Sequence, residues 1–123
     1  MGILWKRGIL QSLRILVINM GLVIGYVTCK NSQEAKKIAK YLLEKKLIVC
    51  GNIVNKIDSV YRWKGKIVNE SEALLLLKTE SKKINKIKKE IQGIHSYSVP
   101  CIEFIKVSDV NKNYEKWVIE ELK

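Results

Sequence analysis

Apolar and polar residues recur along this chain with two different periods, and the order in which the periods change predicts the elements. Leu22 to Cys29 is an uninterrupted uncharged run of the length of one buried strand. Asn31 follows as a helix N-cap with Glu34 three residues on, a variant of the capping box. Ala35, Ile38, Ala39, Leu42 and Leu43 then recur at helical spacing, with Lys36, Lys37, Lys40 and Glu44 on the outward side. Ile48 to Val54 predicts a second strand. From Val60 to Trp63 the pattern alternates, with Tyr61 and Trp63 on one face and Val60 and Arg62 on the other. Gly65 supplies a left-handed position at which the chain can reverse into a hairpin. The returning arm begins polar, with Lys66, Asn69, Glu70 and Glu72, and ends in the run Leu74 to Leu77.

Past the hairpin, Thr79 and Ser81 are candidate caps for a helix that turns Ile84, Ile87 and Ile91 inward and ends at Gly93. Val99 to Val107 predicts the last long strand. Asn113 is a candidate cap for a short terminal helix anchored by Tyr114, Trp117 and Val118. The order β-α-β-β-α-β predicts an α+β, ferredoxin-like fold: a four-stranded antiparallel sheet with its helices on one face. That arrangement leaves the second sheet face bare. Consecutive leucines place apolar side chains on both faces of one strand, so something must cover the second face as well.

Composition narrows the function. The 123 residues suit one domain with a modest core. Three cysteines, Cys29, Cys50 and Cys101, with no CxxC spacing, argue against a disulfide framework and fit a reducing, cytoplasmic compartment. The net charge of +11 raises the question of a polyanion partner, but it is built from 20 Lys and only 3 Arg. Nucleic-acid sites lean on Arg for bidentate contacts, and no aromatics are interleaved with the lysine clusters, so nucleic acid is not the expected partner. Most of the lysines are expected to be solvated surface.

Residues 1–19 stand apart, with Lys6, Arg7 and Arg14, no acidic residue, and many Ile and Leu. The uncharged stretch from Ile15 to Cys29 is 15 residues, short of the roughly 18–20 a membrane-spanning helix needs, so no stable span is expected. Two readings of this extension are open. Either Met20 is the natural start and the domain is 20–123, or residues 1–19 form a membrane-contacting arm.

The segments also carry a collinear series of motifs. Val27-Thr28-Cys29, then Glu34, Ala35, Ile38, Ala39 and Leu42 in the spacing "ExAxxIAxxL", and Leu47 with Cys50 to Ile53 open the series. The aromatic-basic hairpin tip Tyr61-Arg62-Trp63, Glu72 to Thr79, His95 to Pro100, and Tyr114 with Trp117 complete it. In that order and spacing, from about Leu22 to about Leu122, the chain resembles the CutA family of divalent-cation tolerance proteins. The resemblance implies a homotrimer whose sheets pack around a central axis, with the hairpin reaching a neighbouring subunit. It implies no enzymatic activity, and the sequence offers none: there is a single His and no phosphate-binding glycine loop.

The resemblance also implies copper or another divalent metal ion as ligand, held by Cys29 and His95. A thiolate and an imidazole suit copper and zinc, but two ligands do not close a four-coordinate site, and the two residues lie far apart in sequence. Each also has an ordinary structural role available, Cys29 as a small buried residue and His95 as a loop residue bonded to backbone. Three positions depart from the family pattern. Lys30 and Ser96 stand where prolines are common. Cys101 stands where Glu is common, and is either an extra soft ligand or a core thiol. Tyr61, Arg62 and Trp63 are expected at the trimer interface. The alternative is that Arg62 and nearby backbone amides bind a small anion in a subunit cleft, as in the trimeric PII signalling proteins, an analogy of fold only.

Overall fold

The computed structural model describes residues 21–123, so the expectations for residues 1–19 and for Met20 lie outside the described residues. Four strands, β1 (Leu22–Cys29), β2 (Cys50–Trp63), β3 (Lys66–Glu80) and β4 (Ile102–Lys106), alternate with helices α1 (Ser32–Glu44), α2 (Ile84–Ile94) and α3 (Lys112–Glu121). The strands form one antiparallel sheet in the order β2-β3-β1-β4. This is the expected β-α-β-β-α-β plan, closed by the expected short C-terminal helix.

Strand alternation divides the sheet's residues between two faces. Val27, Cys29, Leu75 and Leu77 are fully buried, packed beneath Ile38 and Leu42 of α1 and Ile87 and Ile91 of α2. The layer is tight enough that a Cβ on Gly51 would come within 2.9 Å of the Ala39 Cβ. Leu74 and Leu76 occupy the other face and are only half-buried. α3 covers just the Leu22 end of that second face, where Val118 and Leu122 pack with Val49, Val107 and Tyr114.

The hairpin outruns the sheet. β1 pairs with β3 only over Ala73–Glu80, so the part of β3 before Ala73 is bonded to β2 alone. A register shift between Val54 and Ile57 marks where this two-stranded arm departs. Its tip is a two-residue turn in which Lys64 (φ 50°) and Gly65 (φ 79°) both lie in the left-handed region, the requirement of a type I′ hairpin. Apolar side chains are exposed on both faces of the arm: Trp63 at 47% on one, Val60 at 67% and Ile67 at 75% on the other.

Several boundaries differ from the sequence reading. Gly93 lies inside α2, which runs to Ile94. Neither Thr79 nor Ser81 takes the cap position: Glu80 does, ahead of a 3-10 turn at Ser81–Lys83, and it makes no side-chain cap bond. The Thr79 hydroxyl instead donates to the Leu47 carbonyl at 2.6 Å, which fastens β3 to the segment before β2. Asn111, not Asn113, precedes the last helix. β4 is shorter than Val99–Val107 because the chain through Pro100 approaches it without pairing. Trp117 is 44% exposed and stacks at an angle on Tyr114, so Leu122 joins the expected Val118 and Tyr114 in anchoring α3 in its place. Leu43 faces outward.

Candidate metal centre

Cys29 ends β1 with its side chain fully buried under the helix layer. The chain then turns into α1, where the Asn31 carboxamide oxygen accepts from the Glu34 amide at 2.9 Å and caps the helix as expected. The Glu34 carboxylate does not return to the cap residue. One oxygen accepts from the Lys30 N–H at 3.1 Å, and the other accepts from the Ser96 N–H at 3.0 Å. Glu34 therefore ties the β1–α1 turn to the loop that follows α2.

His95 stands at the C-terminal end of α2, where its own amide bonds to the Ile91 carbonyl. One ring nitrogen, Nε2, lies 2.9 Å from the Thr28 carbonyl oxygen, and the other, Nδ1, accepts from the Tyr97 N–H at 3.0 Å. A carbonyl cannot donate and an amide N–H cannot accept, so these partners require the neutral tautomer with its proton on Nε2. Tyr97 is fixed in turn by donating its hydroxyl to Glu72 Oε2 at 2.7 Å.

These bonds bring Cys29 Sγ, a Glu34 carboxylate oxygen and a His95 ring nitrogen within 4.8 Å of one another. Cys29 and His95 are 66 residues apart, and the sheet brings them together because β1 and the end of α2 meet at the same corner. Glu34 is the member that sequence reasoning missed as a donor. Its role as a helix-start residue was legible, but a cap spacing gives no sign that the carboxylate turns toward a distant loop.

The electrostatics describe a resting site in which the thiol is protonated and the carboxylate ionised. Burial, then the negative charges of Glu34 and Glu72, push the Cys29 thiol up to about 12. Burial alone would raise the Glu34 carboxyl too, but hydrogen bonds from Ser96 and Lys30 and the nearby His95 outweigh it and hold the pKa below its ordinary value. A metal ion seated here would need the thiol proton removed and one imidazole bond exchanged. The sulfur, nitrogen and oxygen donor set fits a soft or borderline ion rather than magnesium or calcium.

The remaining sequence candidates lie elsewhere. Cys101 is not in this cluster: its thiol donates to Glu103 at 3.2 Å, and burial, then Glu103, push it up to about 11. Tyr61, Trp63, Glu70, Glu72, Tyr97 and Cys101 line a cavity of about 600 Å³ between one face of the arm and the Tyr97–Cys101 loop. Arg62 is not among its lining residues, being on the other face of the hairpin. The Lys30 side chain is exposed, and only its backbone takes part in the junction.

With fold and junction established, comparison with known proteins places the chain in a family. The family model described as CutA1 divalent ion tolerance protein matches residues 23–121. The chain belongs to the CutA1 divalent ion tolerance family. It is 39% identical over 102 residues to the divalent-cation tolerance protein CutA of Pyrococcus horikoshii, a match covering 83% of this chain and 99% of that one. It is 38% identical to mouse protein CutA over 76% of its own length but spans only 52% of that longer relative. Among solved structures it is similar to the periplasmic divalent cation tolerance protein CutA of Archaeoglobus fulgidus, at 37% identity and a TM-score of 0.81, covering 83% of this chain and 99% of that one. Among the described residues, no helix is long and apolar enough to cross a membrane.

Proposed function

We propose that this CutA1-family chain is a non-enzymatic, cytoplasmic homotrimer that binds a divalent metal ion, copper by preference, in metal-ion tolerance. The observation that carries the metal reading is the meeting of Cys29, Glu34 and His95 within 4.8 Å. One sulfur, one nitrogen and one oxygen at that spacing are close to the separations a single ion imposes on its ligands, and they lie at a corner built by three separate segments. Sulfur and imidazole together favour Cu(I), or Cu(II) reduced in place by an external thiol, over hard cations. Cys101, bonded to Glu103, is not part of the proposed set.

Trimer formation is supported by the apolar arm and by the half-buried Leu74 and Leu76, which a lone subunit leaves facing water. Tyr61 and Trp63 are the interface anchors in this reading. An anionic ligand beneath the arm is the weaker alternative. The cavity wall carries Glu70 and Glu72, and Arg62 does not reach it.

Calorimetric titration of the apo-protein with Cu(I), Cu(II), Zn(II) and Mg(II) tests the proposal. Copper should bind at one site per chain, and Cys29→Ser with His95→Ala should abolish that site. Equal copper affinity in the double variant would overturn it. A nucleotide stabilising the protein in a thermal-shift screen, with no metal effect, would favour the anion reading.

A further inference from the structure

The cavity between the arm and the Tyr97–Cys101 loop carries a charge opposite to that of the whole molecule. Strand alternation puts Ser59 and Tyr61 of β2 and Val68, Glu70 and Glu72 of β3 on one face of the arm, where they form one wall. The chain has 23 Lys and Arg, yet none of them lines this cavity, and its wall carries the carboxylates of Glu70 and Glu72. Lys66 pairs with Trp63 at the arm tip, and the Lys64 ammonium lies 6.0 Å from the Trp63 ring centroid, but neither lysine reaches the lining. Neither glutamate has an ion pair among the described residues.

Glu72 points to a missing partner. It is only 7% exposed. Its Oε2 accepts from the Tyr97 hydroxyl at 2.7 Å, while Oε1 forms no hydrogen bond among the described residues. A carboxylate buried this far is ordinarily met by a cation or by several donors, because one neutral bond does not offset its lost hydration. Its charge is felt across the cavity: burial, then the bond and charge of Glu72, push the Tyr97 phenol up. Tyr61, Trp63 and Tyr97 bring three aromatic rings to the same space, the other kind of group that attracts a cation.

We propose that this cavity binds a small aliphatic amine, a short diamine best of all. One ammonium donates to the free oxygen of Glu72 and the second to Glu70, while the methylenes lie against Val68 and the rings. The two glutamates are two residues apart on one strand face, which separates their Cβ atoms by about 7 Å, the reach of a four- or five-carbon diamine. A volume of about 600 Å³ falls in the usual range of small-molecule sites and exceeds what a bare ion needs. A metal ion is disfavoured on a second ground: among the described residues, three or more metal-ligating side chains converge at the Cys29 junction and not here. Tyr61 and Trp63 are also the anchors of the proposed trimer, so the arm of a second copy is the rival occupant.

The test is calorimetric titration of the metal-free, full-length protein at low salt with 1,4-diaminobutane, tetramethylammonium and butane-1,4-diol. The diamine should saturate at one per chain. The diol has no charge and tetramethylammonium has no N–H to donate, so each should bind at least about tenfold more weakly. Glu72→Gln keeps an acceptor for the Tyr97 hydroxyl and should lose about tenfold or more in diamine affinity. Glu70→Gln, at an exposed position that cannot disturb the core, should lose a smaller but measurable factor. Unchanged affinity in either folded variant, or equal binding by the diol or by tetramethylammonium, would overturn the proposal. So would an assembled protein that takes up none of the three probes, the result expected if a second copy fills the cavity. No metal is present in this titration, so its failure leaves the copper proposal standing.

Discussion

The junction around Cys29 and the arm beyond Ile57 treat their unmatched groups in opposite ways. At the junction, Glu34 accepts two backbone hydrogen bonds and His95 uses both ring nitrogens, all within one subunit. On the arm, Trp63, Val60 and Ile67 present apolar surface that the described residues leave largely uncovered. A two-stranded hairpin in water is marginal by itself, so an arm of this length needs a surface to lie against. The junction is complete as a single chain. The arm would be complete only in the proposed assembly. Substitutions at the two places should therefore fail in different experiments, and the largest effects should come from the arm.

Trp63→Ala is expected to weaken assembly by at least ~2 kcal/mol per interface, a factor of about thirty or more, because large aromatic anchors dominate association. Sedimentation velocity at falling concentration measures it, with Lys88→Ala as an exposed control that should change nothing. A variant that stays trimeric to nanomolar concentration would break the comparison, since the arm would then contribute exposed surface and no binding. Leu76→Ala should shift the same measurement, whereas Leu77→Ala should act on the subunit itself and cost about 2–5 kcal/mol of unfolding free energy. The two leucines are adjacent in sequence and differ only in the face they occupy.

That pair also shows how far the sequence could be read. Periodicity identified both helices of the sheet layer, the hairpin and its glycine, since each rests on local pattern. The leucine run predicted cover on both faces; the described residues bury Leu75 and Leu77 on one and leave Leu74 and Leu76 half-buried on the other. Local pattern failed where a tertiary bond outcompeted a local one. Thr79 has the chemistry of a cap and gives its hydroxyl to Leu47 instead. Trp117 fits the helical spacing of α3 yet faces solvent, because the short helix meets the sheet along Val118 and Leu122. At the site, the family motifs led to Cys29 and His95, but the third donor had no motif to mark it. Glu34 read as a helix-start residue, which it is. Its second oxygen serves a loop 62 residues away, and no spacing encodes that.

Metal affinity sharpens the junction's half of the comparison. Cys29→Ser should reduce copper affinity by about a hundredfold and Glu34→Gln by about tenfold, since losing a soft ligand matters more to copper than losing a hard one. Affinity of the unaltered protein should fall as pH is lowered, because protons compete for the imidazole and thiolate that ligate the ion. Binding unchanged across the histidine titration range would remove His95 from the ligand set.

Alkaline stability isolates the thiol with no metal present. The Cys29 pKa is raised from 9.0 to about 12 by burial, so the folded state holds this proton more tightly than the unfolded chain does. The stability this gives is complete below about pH 9 and is lost as pH rises toward 12. The protein should therefore lose stability across that window more steeply than Cys29→Ala, compared by urea unfolding at several pH values. Parallel curves for the two would mean that the thiolate is tolerated in place, as in a preformed metal site.

The smallest effect should come from Asn31→Ala, and it decides whether the cap and the metal junction are one device. Removing a side-chain cap costs about 1 kcal/mol of stability. Among the described residues the Asn31 side chain bonds only the Glu34 amide, while the Glu34 carboxylate is held independently by the Lys30 and Ser96 amides. The variant should therefore unfold at slightly lower urea with copper affinity changed by less than about twofold. A tenfold loss of affinity in this variant would show that the helix start positions Glu34 for the ion, and that the junction is less self-sufficient than its hydrogen bonds imply.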